Sequence, residues 1–362
     1  MPITKADIEE ALKRDQDPYL GCDVVSAGMV KGIDITAEAV TVQLESGFPL
    51  ARYGSELTAR LGAAVATLDG APPARFEITT RIVTHAVQKA VKPLPGVRNT
   101  IAVASGKGGV GKSTTAVNLA LALRDEGATV GLLDADIYGP SQPRMLGALG
   151  RPDSRDGKSM EPKLSYGIQS ISIGHLVEED TPMIWRGPMA TSALEQLLRE
   201  TNWHDLDYLV IDLPPGTGDI QLTLCQRIPV SGAVIVTTPQ DIALLDARKG
   251  LRMFEKVDVP VLGIIENMSL HTCSSCGHVE HIFGAGGGAA MAKQYGVDLL
   301  GELPLDIRIR EGVDSGKPTV ATMPDAPSTE LYRQIARRVG AKLARRARDY
   351  SSRFPNIVIQ NT

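Results

Sequence analysis

Two clusters of residues in this chain have the types and spacing to handle phosphate. The first is Gly106-Lys107-Gly108-Gly109-Val110-Gly111-Lys112-Ser113-Thr114, which contains the pattern G-x-x-x-x-G-K-S. Its glycines let the backbone turn tightly and bring N–H groups up to phosphate oxygens. Lys112 is then placed for the β- and γ-phosphates of ATP, and the Ser113 hydroxyl for Mg²⁺. The second cluster is a set of carboxylates at the ends of apolar runs. Asp212 closes Tyr208-Leu209-Val210-Ile211 and is expected to hold the Mg²⁺ shell through water. Asp134 and Asp136 close Leu132-Leu133 and lie on one side of an extended chain. Asp134 is expected near the metal shell and Asp136 against the attacking water. Gly216, in Leu213-Pro214-Pro215-Gly216-Thr217-Gly218-Asp219, is free to offer its N–H to the γ-phosphate. Asn267 carries one donor and one acceptor for an adenine edge, and Pro304 to Arg308 is expected to cover the base.

A different chemistry is written in Cys273-Ser274-Ser275-Cys276. Two thiolates are half of what a [4Fe–4S] cluster or a tetrahedral zinc takes. Three readings compete. Two subunits related by a two-fold axis could each give a pair to a shared site. His278 and His281 could complete a local zinc site, although the spacing is cramped. A metal-free redox dithiol would be expected to open a helix beside a strand. Cys225 reads as a buried core thiol, and Cys22 has no partner in the pattern.

These residues need elements to position them. The chain of 362 residues exceeds what one core usually serves, so two domains are expected. A formal net charge of −4 gives no global attraction to nucleic acid or anionic membrane. No apolar run approaches the roughly 18 residues of a membrane span, and Met1 to Asp7 has neither a basic start nor an apolar block. Four cysteines in so long a chain suit a reducing compartment, so a cytoplasmic protein is expected.

Residues 1–92 read as a small α+β unit: a helix over Thr4–Arg14, strands over Met29–Ile35 and Val40–Leu44, a helix capped by Ser55 and running to Val65, then a strand alternating Phe76, Ile78, Thr80, Ile82. A linker spans 93–98. Residues 99–349 alternate strands and helices as a doubly wound, mostly parallel sheet, and 350–362 form a tail. Strands are expected at Ile101–Ala104, Thr129–Leu133, Tyr208–Ile211, Ala233–Thr237, Val261–Glu266 and Leu299–Gly301. Helices are expected at Ser113–Glu126, Ile242–Val257, Gly287–Tyr295 and Ser328–Arg348. The polar stretch 147–163 reads as a mobile surface loop.

Lys107, directly after the first glycine, resembles the extra lysine of the deviant Walker A ATPases, the MinD and ParA class. The resemblance implies that it reaches across a dimer interface to the partner's nucleotide, so Lys107, Lys112 and Asp136 are the expected catalytic residues. Further along, Asp134-Ala135-Asp136-Ile137-Tyr138-Gly139-Pro140-Ser141, Trp185-Arg186-Gly187-Pro188, Asp212 to Asp219 and the Cys273/Cys276 pair follow in the order seen in the Mrp/ApbC family. Membership implies an ATP-hydrolysing homodimer that holds a labile [4Fe–4S] cluster between subunits and delivers it to apoproteins, with cluster-assembly scaffolds as further partners and no part for nucleic acid or membrane. The first 92 residues resemble the small domain of iron–sulfur assembly factors, on Asp17-Pro18 and the αββαβ order. Ser46-Gly47-Phe48-Pro49 lacks the cysteine often found there in that family. The competing reading is a MinD/ParA-like partition ATPase. It would use the cations Arg333, Arg337, Arg338, Lys342, Arg345 and Arg346 of the last helix, whose other face carries Leu331, Ile335, Val339 and Leu343.

Overall fold

The computed structural model describes residues 3–89, 91–176 and 187–346. Trp185, Arg186 and the tail 350–362 lie outside the described residues. The small unit runs α1 (Lys5–Lys13), β1 (Val30–Ile35), β2 (Val40–Ser46), α2 (Gly54–Val65) and β3 (Ala74–Thr80). Thr4 starts α1 through a capping box with Asp7. β2 is the centre of the sheet, antiparallel to β1 and parallel to β3. Its inward Val40, Val42 and Leu44 pack on Ile8 and Leu12 of α1 and Leu57 and Leu61 of α2.

The expected cap at Ser55 is corrected. Helix α2 begins two residues earlier than a cap at Ser55 would give, its N-cap is Tyr53, and no side chain of the unit caps it. A carboxylate from the other unit serves instead: Glu126 Oε2 accepts from the N–H groups of Arg52 and Tyr53 at 3.1 and 3.3 Å. An anion there answers the positive end of the helix dipole, and local sequence cannot show it.

The large unit continues with β4 (Val97–Ala104), α3 (Lys112–Asp125), β5 (Val130–Asp134), α4 (Gln142–Met145), β6 (Lys163–Ser165), β7 (Ile168–Ser172), α5 (Gly187–Glu200), β8 (Leu206–Asp212) and α6 (Asp219–Arg227). Then follow β9 (Gly232–Thr237), α7 (Asp241–Lys256), β10 (Val261–Glu266), the short β11 (His271–Thr272) and β12 (Val279–Glu280), α8 (Gly287–Tyr295), β13 (Leu299–Glu302), α9 (Ile307–Asp314), α10 (Thr319–Thr322) and α11 (Pro327–Ala344). The eight-stranded sheet has the order β13-β10-β9-β4-β8-β5-β7-β6, parallel throughout except for the β6–β7 edge. β4, β8, β9 and β10 are apolar on both faces because two cores cover the sheet. One core gathers Leu194, Leu224, Leu251 and Met291 from α5 to α8; the other gathers Leu119, Leu123, Ile335 and Val339 from α3 and α11. The carboxyl ends of β4, β5, β8 and β10 therefore meet at one edge of the sheet, where open α/β sheets bind ligands.

Residues 147–162 form no helix or strand and are mostly exposed. The segment after β3 already packs on the large unit: the Gln88 amide donates to the carbonyls of Cys225 and Ile228 at 2.7 and 3.2 Å and accepts from Val230 N.

Helix α11 gives little support to a basic-face use of its cations. Its apolar stripe lies in the core, and five of the six cations are used inside the molecule, Arg346 being exposed. Arg333 pairs with Asp125 at 2.7 Å. Arg337 pairs with Glu126 and Glu330 at 2.7 and 2.8 Å, and donates to the Tyr19 hydroxyl at 3.1 Å. Arg338 and Arg345 donate to the carbonyls of Leu300 and Leu20, and Lys342 pairs with Asp298. Tyr19 and Leu20 belong to the small unit, so much of this charge joins the two units. No helix of the described residues is long and apolar enough to cross a membrane.

Candidate functional site

The phosphate loop links β4 to α3, with Lys112 as the first helical residue. Two of its glycines are required by neighbours. A Cβ on Gly106 would lie 2.1 Å from the Asp246 carbonyl carbon, so α7 can pack on the loop only at glycine. Gly111 has φ +81°, and a Cβ there would lie 2.2 Å from Asn267 Nδ2.

Around Lys112 the structure gathers the predicted carboxylates. The ammonium pairs with Asp212, lies 3.8 Å from Asp136 and donates to Ser113 Oγ at 3.1 Å. Asp134 is fully buried and saturated by protein donors. It accepts from Asp136 N at 3.1 Å, Ser141 N at 2.9 Å, Gln142 N at 3.0 Å and Ser172 Oγ at 3.0 Å. Those bonds fold the 135–142 loop over the site. Burial and the neighbouring Asp212 push the Asp134 carboxyl up to about 7. Asp136 is also raised, by burial, with Lys112 opposing. Asp212 and Asp136 face a single ammonium, while Asp134 is taken up by protein donors, so the site is short of positive charge.

Gln142 is the functional residue that sequence reasoning missed. Its side chain is buried, and Nε2 donates to Asp212 Oδ2 at 2.8 Å and to the Ser113 carbonyl at 3.0 Å. It ties the Asp212 strand to the phosphate loop, while its Oε1 and the Ser141 hydroxyl are buried without a partner among the described residues. The only signal in the sequence is its place directly after the Asp134–Ser141 motif.

The remaining predicted residues are placed as follows. Asn267 donates to the Val110 carbonyl at 2.9 Å, so its amide braces the loop. Gly216 donates its N–H to Ser105 O at 3.0 Å. Thr114 follows Ser113 in the first turn of α3 and accepts from Asn118 at its carbonyl. Pro304 lies between β13 and α9, and Arg308 is held by Asp306, the N-cap of α9, at 2.5 Å. The Lys107 carbonyl accepts from Ser105 Oγ at 2.9 Å, and its ammonium joins no ion pair among the described residues.

The cysteines stand on a separate two-stranded ribbon, β11–β12, beyond the end of β10. Cys273 N donates to His278 O and Gly277 N to Cys273 O, both at 2.9 Å. The backbone N–H groups of Cys276 and Ser275 point at the Cys273 sulfur and lower its pKa, which favours the thiolate. Cys273 is partly exposed and Cys276 exposed. His281 Nδ1 lies 2.7 Å from Ser269 O and His278 lies beside Glu280, and no group of three or more metal-ligating side chains is gathered among the described residues. The local zinc reading therefore finds no support, and the redox reading expected a helix where a ribbon stands. Cys225 is buried in α6, which pushes its thiol up to about 12.

A glycine loop at the head of a central parallel strand, with flanking strand-end aspartates, defines a P-loop NTPase. The family model described as NUBPL iron-transfer P-loop NTPase matches residues 96–340, and that described as iron-sulfur cluster assembly protein matches residues 5–74. The chain belongs to this iron-transfer family. It is 52% identical over 340 residues to the iron-sulfur cluster carrier protein of Escherichia coli K12, covering 94% of this chain and 92% of that one. It is 54% identical over 266 residues to the mouse iron-sulfur cluster transfer protein NUBPL, covering 73% and 83%. Among solved structures it resembles a nucleotide-binding protein from Archaeoglobus fulgidus in complex with ADP. That likeness has 36% identity and a TM-score of 0.56, over 65% of this chain and 91% of that one.

Proposed function

We propose that this chain is a cytoplasmic, ATP-hydrolysing carrier whose cargo is a labile [4Fe–4S] cluster. The cluster is held between two subunits by Cys273 and Cys276 of each and passed to apoproteins. The observation that carries the reading is the exposed cysteine knuckle: two thiols, one of them primed as thiolate, and no third ligand beside them among the described residues. A two-fold axis supplies the missing pair. The names of the relatives support an iron–sulfur cluster as the cargo.

Bound Mg·ATP would supply the transferable phosphoryl group and the positive charge that the carboxylates call for. The loop N–H groups from Gly106 to Thr114 and the Lys112 ammonium would hold the phosphates. Ser113, directly, and Asp212, through water, would hold the cation, with Gln142 keeping Asp212 in line. Asp136 is the carboxylate placed to take a proton from water, and Asp134 holds its loop. Lys107 would serve the partner's nucleotide. Phosphate oxygens compete with Asp212 for Lys112, so nucleotide binding must loosen that ion pair. Gly216 must likewise exchange its bond to Ser105 for one to the γ-phosphate. These two exchanges link the segment Asp212–Asp219, which acts as a switch segment, to nucleotide state. Cluster occupancy and ATP affinity should then alter one another by the same factor.

Anaerobic reconstitution with iron and sulfide tests the reading. A dimer should carry about two irons per subunit, as one shared four-iron cluster requires. A monomer with a complete cluster would overturn the bridging arrangement, and a chain that takes up no iron would overturn the carrier reading.

A further inference from the structure

Helix α7 carries an exposed stripe that the nucleotide and cysteine sites do not use. Ile242, Leu245, Lys249, Arg252 and Lys256 recur at steps of three and four, so they lie along one face. The first two are apolar and 69% and 52% exposed; the last three are exposed cations. Beside the cationic half is a cleft of about 410 Å³, with Leu222 and Met253 among its lining residues.

Three features make the cleft electropositive. Arg248 lines it, and its Nε is buried without a hydrogen-bond partner among the described residues. An incompletely paired buried donor is costly unless an acceptor arrives. The N-terminus of the nine-residue helix α6 opens at Gly218, with no side-chain cap, on the same cleft. Lys249 and Arg252 are partly answered by Asp246 and Glu255, each at 2.9 Å, and Asp219 is the only carboxylate in the lining among the described residues. Lys256 joins no ion pair among the described residues. The chain as a whole carries a formal charge of −4, so this cleft is a local reversal of sign.

We propose that the α7 stripe and its cleft dock an acidic segment, apolar at one end, of the apoprotein that receives the cargo. This rests on the carrier reading and names the partner's chemistry. Charge complementarity argues for the occupant. An acidic protein is repelled by the bulk of this chain and drawn to one place on it, which fixes orientation and speeds encounter. The position adds a second argument. Thr217, Gly218 and Asp219 of the switch segment line the cleft, and the backbone of α7 at Asp246 packs on Gly106. A segment seated there touches the parts that nucleotide binding must move.

The test uses the full-length chain and a fluorescently labelled, net-negative apo-ferredoxin as probe. Kd is measured at low and high salt for wild type, Lys256→Glu, the double variant Arg248→Gln/Lys256→Glu, and the charge-keeping Lys256→Arg. The double variant should weaken binding at least tenfold at low salt and flatten the salt dependence, while Lys256→Arg stays near wild type. Basal ATP hydrolysis, dimer mass and iron uptake should not change. Wild-type affinity in the charge-altered variants, or no binding by wild type at low salt, overturns the proposal. Loss of the dimer in Lys256→Glu overturns it too, because a second copy would then cover this face. Iron uptake is read separately, so failure of docking and failure of the carrier reading give different results.

Discussion

The nucleotide site and the cysteine ribbon are built in opposite ways. Around Lys112 three predicted side chains are clamped: Asp212 by Lys112 and Gln142, Asp134 by four donors, Asn267 against the loop. The site sits at the edge of a sheet with a core on each face. The ribbon has two residues per strand, and its thiols lie on its surface. Preorganisation suits a site that must hold phosphates in one geometry. Exposure and a half-complete ligand set suit a site that must give its cargo away. The contrast teaches that one chain can build the first site nearly alone but, on the proposed carrier reading, only half of the second.

The contrast breaks most directly at Lys112. Lys112→Ala should abolish productive ATP binding, because the phosphates lose their cation and Asp212 and Asp136 lose theirs. Cluster uptake should persist, and calorimetric titration with ATP beside iron analysis checks both. Equal loss of iron would mean that the ribbon depends on the nucleotide site for its structure.

Next in size is Lys107→Ala. Hydrolysis should fall about a thousandfold, as when a trans cation is removed from a phosphoryl-transfer site. ATP affinity should stay within a few-fold of wild type. Similar losses of affinity in Lys107→Ala and Lys112→Ala would show that both lysines act within one chain.

Gln142→Leu sharpens the account of the buried side. It removes two hydrogen bonds to Asp212 and Ser113, worth about 1–3 kcal/mol if the acceptors stay unpaired. Hydrolysis should fall about 5- to 150-fold and its requirement for Mg²⁺ should rise. An unchanged Mg²⁺ requirement would leave Gln142 a packing role only.

The smallest effect is expected at the ribbon. Cys273→Ser/Cys276→Ser should eliminate iron uptake yet change global stability by no more than about 0.5 kcal/mol, as for surface substitutions. Denaturant melts check the second half. Alkylation at neutral pH, read by mass spectrometry, should label Cys273 and spare Cys225, whose thiol is buried and pushed up to about 12.

Much of this was legible locally. β10 and α8 fall where apolar runs and glycines put them, β4 and β8 extend their expected spans by four residues or fewer, and α7 is shifted by one residue. Such elements carry their own signals: continuous apolar strands, helix periodicity, glycine at turns. The phosphate loop, Asp212 and the cysteine pair were readable because their chemistry needs fixed residue types at fixed spacing.

What the sequence did not decide shares one physical cause: contacts between residues far apart in the chain. Nothing near Tyr53 announces that Glu126 caps its helix, and nothing near Gln142 announces Asp212. The cations of α11 read alone as a basic face, and only packing turned them inward to join the two units. Gly106 looks like a phosphate glycine, yet its neighbour is the backbone of α7. Local pattern determined which residues can do chemistry. Tertiary structure decided which of them meet, because the energy of a buried pair depends on geometry and dielectric that no short stretch of sequence contains.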